Sequence, residues 1–175
     1  MTRTISQIRD ELVDREAIRD CLARYSRGVD RFDPDMLRSI YWPDAIDDHG
    51  DMKGNVEQFI AWIEPLLRQG GPFIHMTGNS LIRIDGDVAR VETYFWSVLT
   101  SPGASGRDYV TSGRYLDRFE RRGDEWRIAA RLVATDWFQE QSGTADWSKG
   151  PFGNPDMTTG VLGRGDKSYS WLGLT

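Results

Sequence analysis

The chain has 175 residues, one cysteine and a formal net charge of -5, which fits a single domain able to bury its own core without disulfides or metal. The acidic balance leaves no basic surplus to neutralise phosphates, so nucleic acid and membrane are poor partners. The apolar runs are too short for a membrane span or a signal-peptide core, and a lone cysteine suits the reducing cytoplasm, the expected compartment.

Residues 1–13 read as a polar lead-in with some helical character. Asp14 is then a plausible N-cap for an amphipathic helix whose stripe is Ile18, Cys21, Leu22, Tyr25 and Val29. Cys21 falls on that stripe and reads as a buried structural thiol. Gly28 loosens the end of the helix, leaving Tyr25 on the core side and Asp30 just past it. Asp33 caps a second short helix, Pro34 takes its first position, Met36, Leu37, Ile40 and Tyr41 form its apolar stripe, and Pro43 stops it. Residues 44–55 form an acidic strand or loop. A third helix starts from Asn55, with Gln58 at the capping-box position; Pro65 should kink it, and Gly70-Gly71-Pro72 ends it.

After residue 72 the apolar period falls to two, predicting strands over 73–85, 88–100, 109–121 and 125–137. Asp85-Gly86-Asp87 and Arg122-Gly123-Asp124 read as tight hairpin turns. The 101–108 segment lacks the Gly-Lys-Ser/Thr ending of a phosphate-binding loop, so it reads as a flexible hairpin connection. Helices followed by an antiparallel meander make an α+β domain over 1–140, its sheet packed against the helices on one side. Residues 141–175 are rich in Gly, Ser, Asp and Pro yet keep Trp147, Phe152, Tyr169, Trp171 and Leu172. They predict an irregular extension docked on the domain or on a neighbouring subunit. Arg164-Gly165-Asp166 matches an adhesion tripeptide by spelling only.

His75 is the sharpest candidate for chemistry. Alternation along its strand puts His75, Thr77 and Asn79 on one face, with Ile74 and Met76 on the other. An imidazole oriented by a carboxylate is a proton-transfer pair, and Asp30 is the expected carboxylate. Asp47-Asp48-His49 holds metal-ligand residue types, but neighbours in an extended segment point alternately, so no metal site is expected. No Gly-x-Ser-x-Gly elbow marks a serine nucleophile. Arg131 shares its strand face with Ala129 and Val133, opposite Trp126, Ile128, Ala130 and Leu132. A cation there requires a salt bridge or a ligand.

Asp14-Arg-Glu-Ala-Ile-Arg-Asp20, Tyr25-x4-Asp30, Asp44-Ala45, Asp48-His-Gly50, His75-Met-x-Gly-Asn79, Gly113-Arg-Tyr115, Trp126-Arg-Ile and Asp136-Trp137 stand in an order and spacing that resemble the SnoaL-like branch of the nuclear-transport-factor-2-like superfamily. The resemblance implies a cone-shaped, cystatin-like α+β barrel: a curved antiparallel sheet wrapped around N-terminal helices, enclosing one pocket. It implies cofactor-free lyase or isomerase chemistry on a small hydrophobic cyclic or aromatic molecule, as in the family's scytalone dehydratase, bile-acid 7α-dehydratase and hexachlorocyclohexane dehydrochlorinase. The family's Asp–His pair falls on Asp30 and His75, with Tyr25 and Arg131 as further catalytic residues and Asp48, Asn79 and Tyr115 against substrate. The scytalone enzyme's second pocket histidine finds no counterpart, and its water-holding tyrosine falls near Asp48; scytalone dehydratase is a label for the likeness, not a substrate. The resemblance also implies a homo-oligomer, trimer or dimer. The rival reading is a non-catalytic ligand-binding or oligomerisation domain of the same fold.

Overall fold

The structure, a computed structural model, describes residues 3–70, 73–100, 106–143 and 148–174, apart from the Phe152 side chain. The sequence expectations for Gly71-Pro72, for 101–105 and for Trp147 lie outside the described residues.

The first helix, α1 (Ile5–Asp30), begins well before Asp14 because Thr4 and Gln7 form a reciprocal capping box. Asp14 is used across the fold instead, accepting the Trp126 indole N–H at 2.8 Å and pairing with Arg121. The buried stripe is Ile18, Cys21, Leu22, Tyr25 and Val29, joined by Gly28 and by Asp30, which is the last helical residue rather than one beyond it. Gly28 does not loosen the end. A Cβ there would meet Leu37 Cδ2 at 2.9 Å, so the missing side chain is what lets the next helix close on α1. That helix, α2 (Pro34–Ile40), has Asp33 as cap and Pro34 at its start. Phe32 makes the corner at φ 46°, a conformation costing a non-glycine residue ~1 kcal/mol. Burial of Cys21, whose thiol donates to the Trp126 carbonyl, pushes its pKa up to about 11, as suits a structural thiol.

Tyr41 and Pro43 continue into strand β1 (Tyr41–Asp48), which a two-residue β2 (Lys53–Gly54) flanks. Helix α3 (Val56–Gln69) has the Asn55–Gln58 capping box and carries Pro65 inside. Strands β3 (Phe73–Asp85) and β4 (Val88–Thr100) have the expected bounds; β5 (Arg107–Arg122) and β6 (Glu125–Ser142) run longer. The six strands form one curved, unclosed sheet in the order β2-β1-β6-β5-β4-β3. It is not wholly antiparallel: β1 pairs parallel with β6, because the chain leaving α2 runs along the free edge of the meander's last strand. The helices cover the concave face and seal a core around Ile18, Leu37, Phe59, Phe119 and Ile128.

Two bulges reset which residues face inward. A register shift between Thr77 and Ser80 ends the Phe73, His75, Thr77 alternation, so Asn79 is solvent-exposed and Ile82 and Ile84 carry the inner face onward. In β6 a shift at Ala129 places Arg131 on the same inner face as Trp126 and Ile128, not the opposite one.

Beyond β6 the extension carries 3-10 turns at Gly150–Gly153 and Gly163–Gly165 and a short helix, α4 (Lys167–Leu172). It lies on the α1–α2 corner: the Tyr169 hydroxyl donates to Asp33 at 2.7 Å, Gly163 N–H to the Arg31 carbonyl at 2.6 Å, and Arg27 to Ser168 at 2.9 Å. Asp166 holds the bend together. Burial raises its pKa, but bonds from the Ser168 hydroxyl and the Val161 and Ser168 amides outweigh that and bring it to about 2. A depressed carboxyl stabilises above its unfolded pKa of roughly 4, and that stability is lost as pH falls through the folded value. Acid between these limits is expected to loosen α4 before the sheet, read as early amide exchange at Gly163 and Tyr169; Asp166→Asn should show the same exchange at neutral pH. Among the described residues no helix is long and apolar enough to cross a membrane.

Candidate active site

Between the concave face and α1 and α3 lies a cavity of about 220 Å³, lined by apolar side chains such as Val29, Phe59, Trp62, Leu67 and Phe95. Polar groups reach it from particular strands. His75 comes from β3, Ser97 from β4, Thr111 and Tyr115 from β5, and Thr135 from β6.

His75 and Asp30 meet as the sequence predicts. His75 Nδ1 stands 2.7 Å from Asp30 Oδ1, and the His75 backbone N–H donates to Asp30 Oδ2 at 2.9 Å. An acid in the last turn of a helix opposes the helix dipole, so Asp30 owes its place to these two donors from β3. With Nδ1–H given to the carboxylate, Nε2 keeps its lone pair. The ring packs edge-on against Phe73 at 4.4 Å and Tyr25 at 6.1 Å.

Tyr25 and Tyr115 both line the cavity, with ring centroids 5.3 Å apart. Burial pushes both phenols well above their ordinary pKa, against the opposing charge of Arg131. They are therefore hydrogen-bond donors at neutral pH, not bases. Arg131 is not a lining residue of this cavity. Its guanidinium lies over the Tyr25 and Tyr115 rings at 4.0 and 4.2 Å and makes a two-point bond to Asp117 at 2.7 and 2.8 Å. Burial alone would weaken its charge; Asp117 more than compensates and holds its pKa well above the ordinary value. Its Nη1 finds no hydrogen-bond partner among the described residues.

Two expected substrate contacts fail. Asn79 is carried outward by the β3 bulge. Asp48 pairs with Leu132 in the β1–β6 ladder, on the convex face, and its carboxylate takes Lys53 Nζ at 2.9 Å. Its neighbours are the ones that turn inward. Asp47 is the cross-strand partner of Arg131, itself the partner of Asp117, so Asp47, Arg131 and Asp117 form one buried row across β1, β6 and β5. The Tyr41 hydroxyl donates to Asp47 Oδ2 at 2.5 Å, and His49 Nε2 lies 3.0 Å from Oδ1, an ion-pair contact without hydrogen-bond alignment. His49 lines the cavity, stacked on Phe59 at 5.0 Å and near Trp62 at 5.5 Å. A second cavity histidine thus exists, delivered by β1. Strand alternation through Asp47-Asp48-His49 held the signal; placing β1 beside β6 needed the fold.

The sequence profile of the SnoaL-like domain matches residues 10–132. The chain belongs to the SnoaL-like family. An uncharacterised protein of Mycobacterium tuberculosis is 31% identical over 133 residues, covering 74% of this SnoaL-like chain and 90% of its own. Among solved structures, a hexachlorocyclohexane dehydrochlorinase (LinA, type 2) superposes with a TM-score of 0.69 at 20% identity, over 77% of this chain and 93% of its own. A scytalone dehydratase candidate from Novosphingobium aromaticivorans gives 0.67 at 16% identity, over 78% and 91%. At these identities the structural likenesses establish the SnoaL-like protein's nuclear-transport-factor-2-like fold and nothing finer.

Proposed function

We propose that this protein is a cofactor-independent lyase or isomerase in which His75 removes a carbon-bound proton from a small cyclic substrate. The observation that carries the reading is the 2.7 Å contact of His75 Nδ1 with Asp30, which frees Nε2 beside an apolar cavity. His75 takes a proton alpha to a carbonyl or similar group, Asp30 stabilises the imidazolium, and the Tyr25 phenol donates a hydrogen bond to the oxygen on which charge develops. Arg131 acts through the phenols stacked on it, as a positioning residue. An apolar cavity of about 150 Å³ admits benzene, so the 220 Å³ here matches one substituted ring rather than a fused-ring steroid. The names of both structural neighbours describe eliminations, of hydrogen chloride and of water, which agrees with this chemistry.

The test uses 3-acetoxycyclohexanone, a single-ring ketone that releases acetate to give 2-cyclohexenone, followed by ultraviolet absorbance. Turnover is expected in the parent and its loss in His75→Ala; a folded His75→Ala protein with parental turnover would remove the proposal. This activity needs no metal or organic cofactor in its mechanism.

The convex face supports assembly with further copies of this chain. In-register pairs place Met76, Trp96, Ser112 and Trp137 in one row there, and Met76, Tyr94 and Trp96 are 62, 52 and 42% exposed. Light scattering is expected to give a dimer or trimer, and Trp96→Glu a monomer; a monomeric parent would exclude this assembly.

A further inference from the structure

The cavity holds a second carboxylate–imidazole pair that the base mechanism leaves unused. His49 follows β1 and His75 sits on β3, and in the strand order three strands separate β1 from β3. The curved sheet therefore brings the two imidazoles to the cavity from its two flanks. Asp47 Oδ2 takes the Tyr41 hydroxyl, and the buried Oδ1 faces His49 Nε2 at 3.0 Å; among the described residues His49 Nδ1 takes no hydrogen bond, which leaves it for a ligand. The pair is enclosed as well: Asp47 lies in the buried row with Arg131 and Asp117, so His49 approaches it from the cavity side.

We propose that His49, beside the Asp47 carboxylate, is the proton donor to a leaving oxygen in an elimination whose base is His75. The inference rests on the base reading above and adds to it the class of leaving group: hydroxyl, which departs poorly unless protonated. In the step, His75 Nε2 takes the proton from carbon, the C–H electrons form the new C=C bond, the C–O bond breaks, and His49 gives its proton to the departing oxygen, which leaves as water. The enzyme ends with His75 protonated and His49 neutral, and solvent restores both. Base and acid on separate flanks also fit a substrate whose hydrogen and hydroxyl lie on opposite ring faces.

The experiment compares 3-hydroxycyclohexanone with 3-acetoxycyclohexanone, which give the same enone but differ in leaving group. Acetate departs as the anion and gains little from a donor. His49→Gln is expected to lower turnover of the hydroxy ketone by about 100-fold or more and that of the acetoxy ketone by less than about tenfold. Asp47→Asn, isosteric and safer for folding, should shift the ratio in the same direction. Equal losses on both substrates would assign His49 a structural role and overturn the inference, as would an unchanged rate on the hydroxy ketone. Failure of the base reading is separate: it shows as His75→Ala retaining turnover of the acetoxy ketone.

Discussion

Asp30→Asn and His75→Ala are each expected to lower turnover of 3-acetoxycyclohexanone by about 10²–10⁴-fold, the usual worth of a positioned general base, and the double variant by scarcely more. The reason lies in the two donors that converge on one carboxylate. Asp30 accepts the His75 backbone N–H at one oxygen and Nδ1–H at the other. An asparagine offers one oxygen and one NH2 group. The fixed backbone N–H keeps the oxygen, so the amide N–H faces Nδ1 and forces the ring proton onto Nε2. The base is then blocked as well as deprived of its anion, the effect a wrong tautomer has in a catalytic triad. Residues that act as one unit give non-additive losses, so the double variant should lie within about tenfold of His75→Ala. Losses that multiply, with both variants folded by circular dichroism, would mean that Asp30 and His75 act separately.

What the sequence could carry depended on whether the signal was local. The caps at Asp33 and Asn55 and the bounds of β3 and β4 rest on residues within a few positions of one another, and they stand as expected. Asp30 and His75 lie far apart in the chain; residue chemistry names them as a candidate pair, and the family likeness supplies the fold that would bring them together. The expected start of α1 at Asp14 differs from the structure because Asp14 has cap chemistry but spends its carboxylate on Trp126 and Arg121. Strict alternation gives Asn79 and Arg131 the wrong faces, because a single extra residue at a bulge inverts every position beyond it. Asp48 comes from the family likeness, yet its neighbours Asp47 and His49 are the ones that face inward. The alternation was right, but which phase faced inward depended on β1 lying parallel to β6. The missed His49 follows from that one undetermined contact.

Asp117→Ala is expected to be among the most destabilising single changes in the protein, at about 3–5 kcal/mol, because it strands a buried guanidinium. Both side chains of the Arg131–Asp117 pair are fully buried, and among the described residues Arg131 Nη1 already lacks a partner. For a domain of this size that is a fall in melting temperature on the order of 10 °C. Arg131→Met should cost a similar amount at neutral pH but respond differently to acid. Burial raises the Asp117 pKa even beside Arg131, and removing the cation raises it further. A carboxyl whose folded pKa exceeds its unfolded one gives stability that is complete below the unfolded value and lost as pH rises through the folded value. Arg131→Met should therefore recover part of its deficit on moving from pH 7.5 toward pH 4, where Asp117 becomes a neutral acid. Asp117→Ala gains nothing comparable, since arginine keeps its charge throughout. Denaturant melts of both variants and the parent at the two pH values read this difference. If Arg131→Met shows no relative recovery in acid, the deficit does not come from an unpaired Asp117 carboxylate. The buried row would then be held by packing against Tyr25 and Tyr115 rather than by charge.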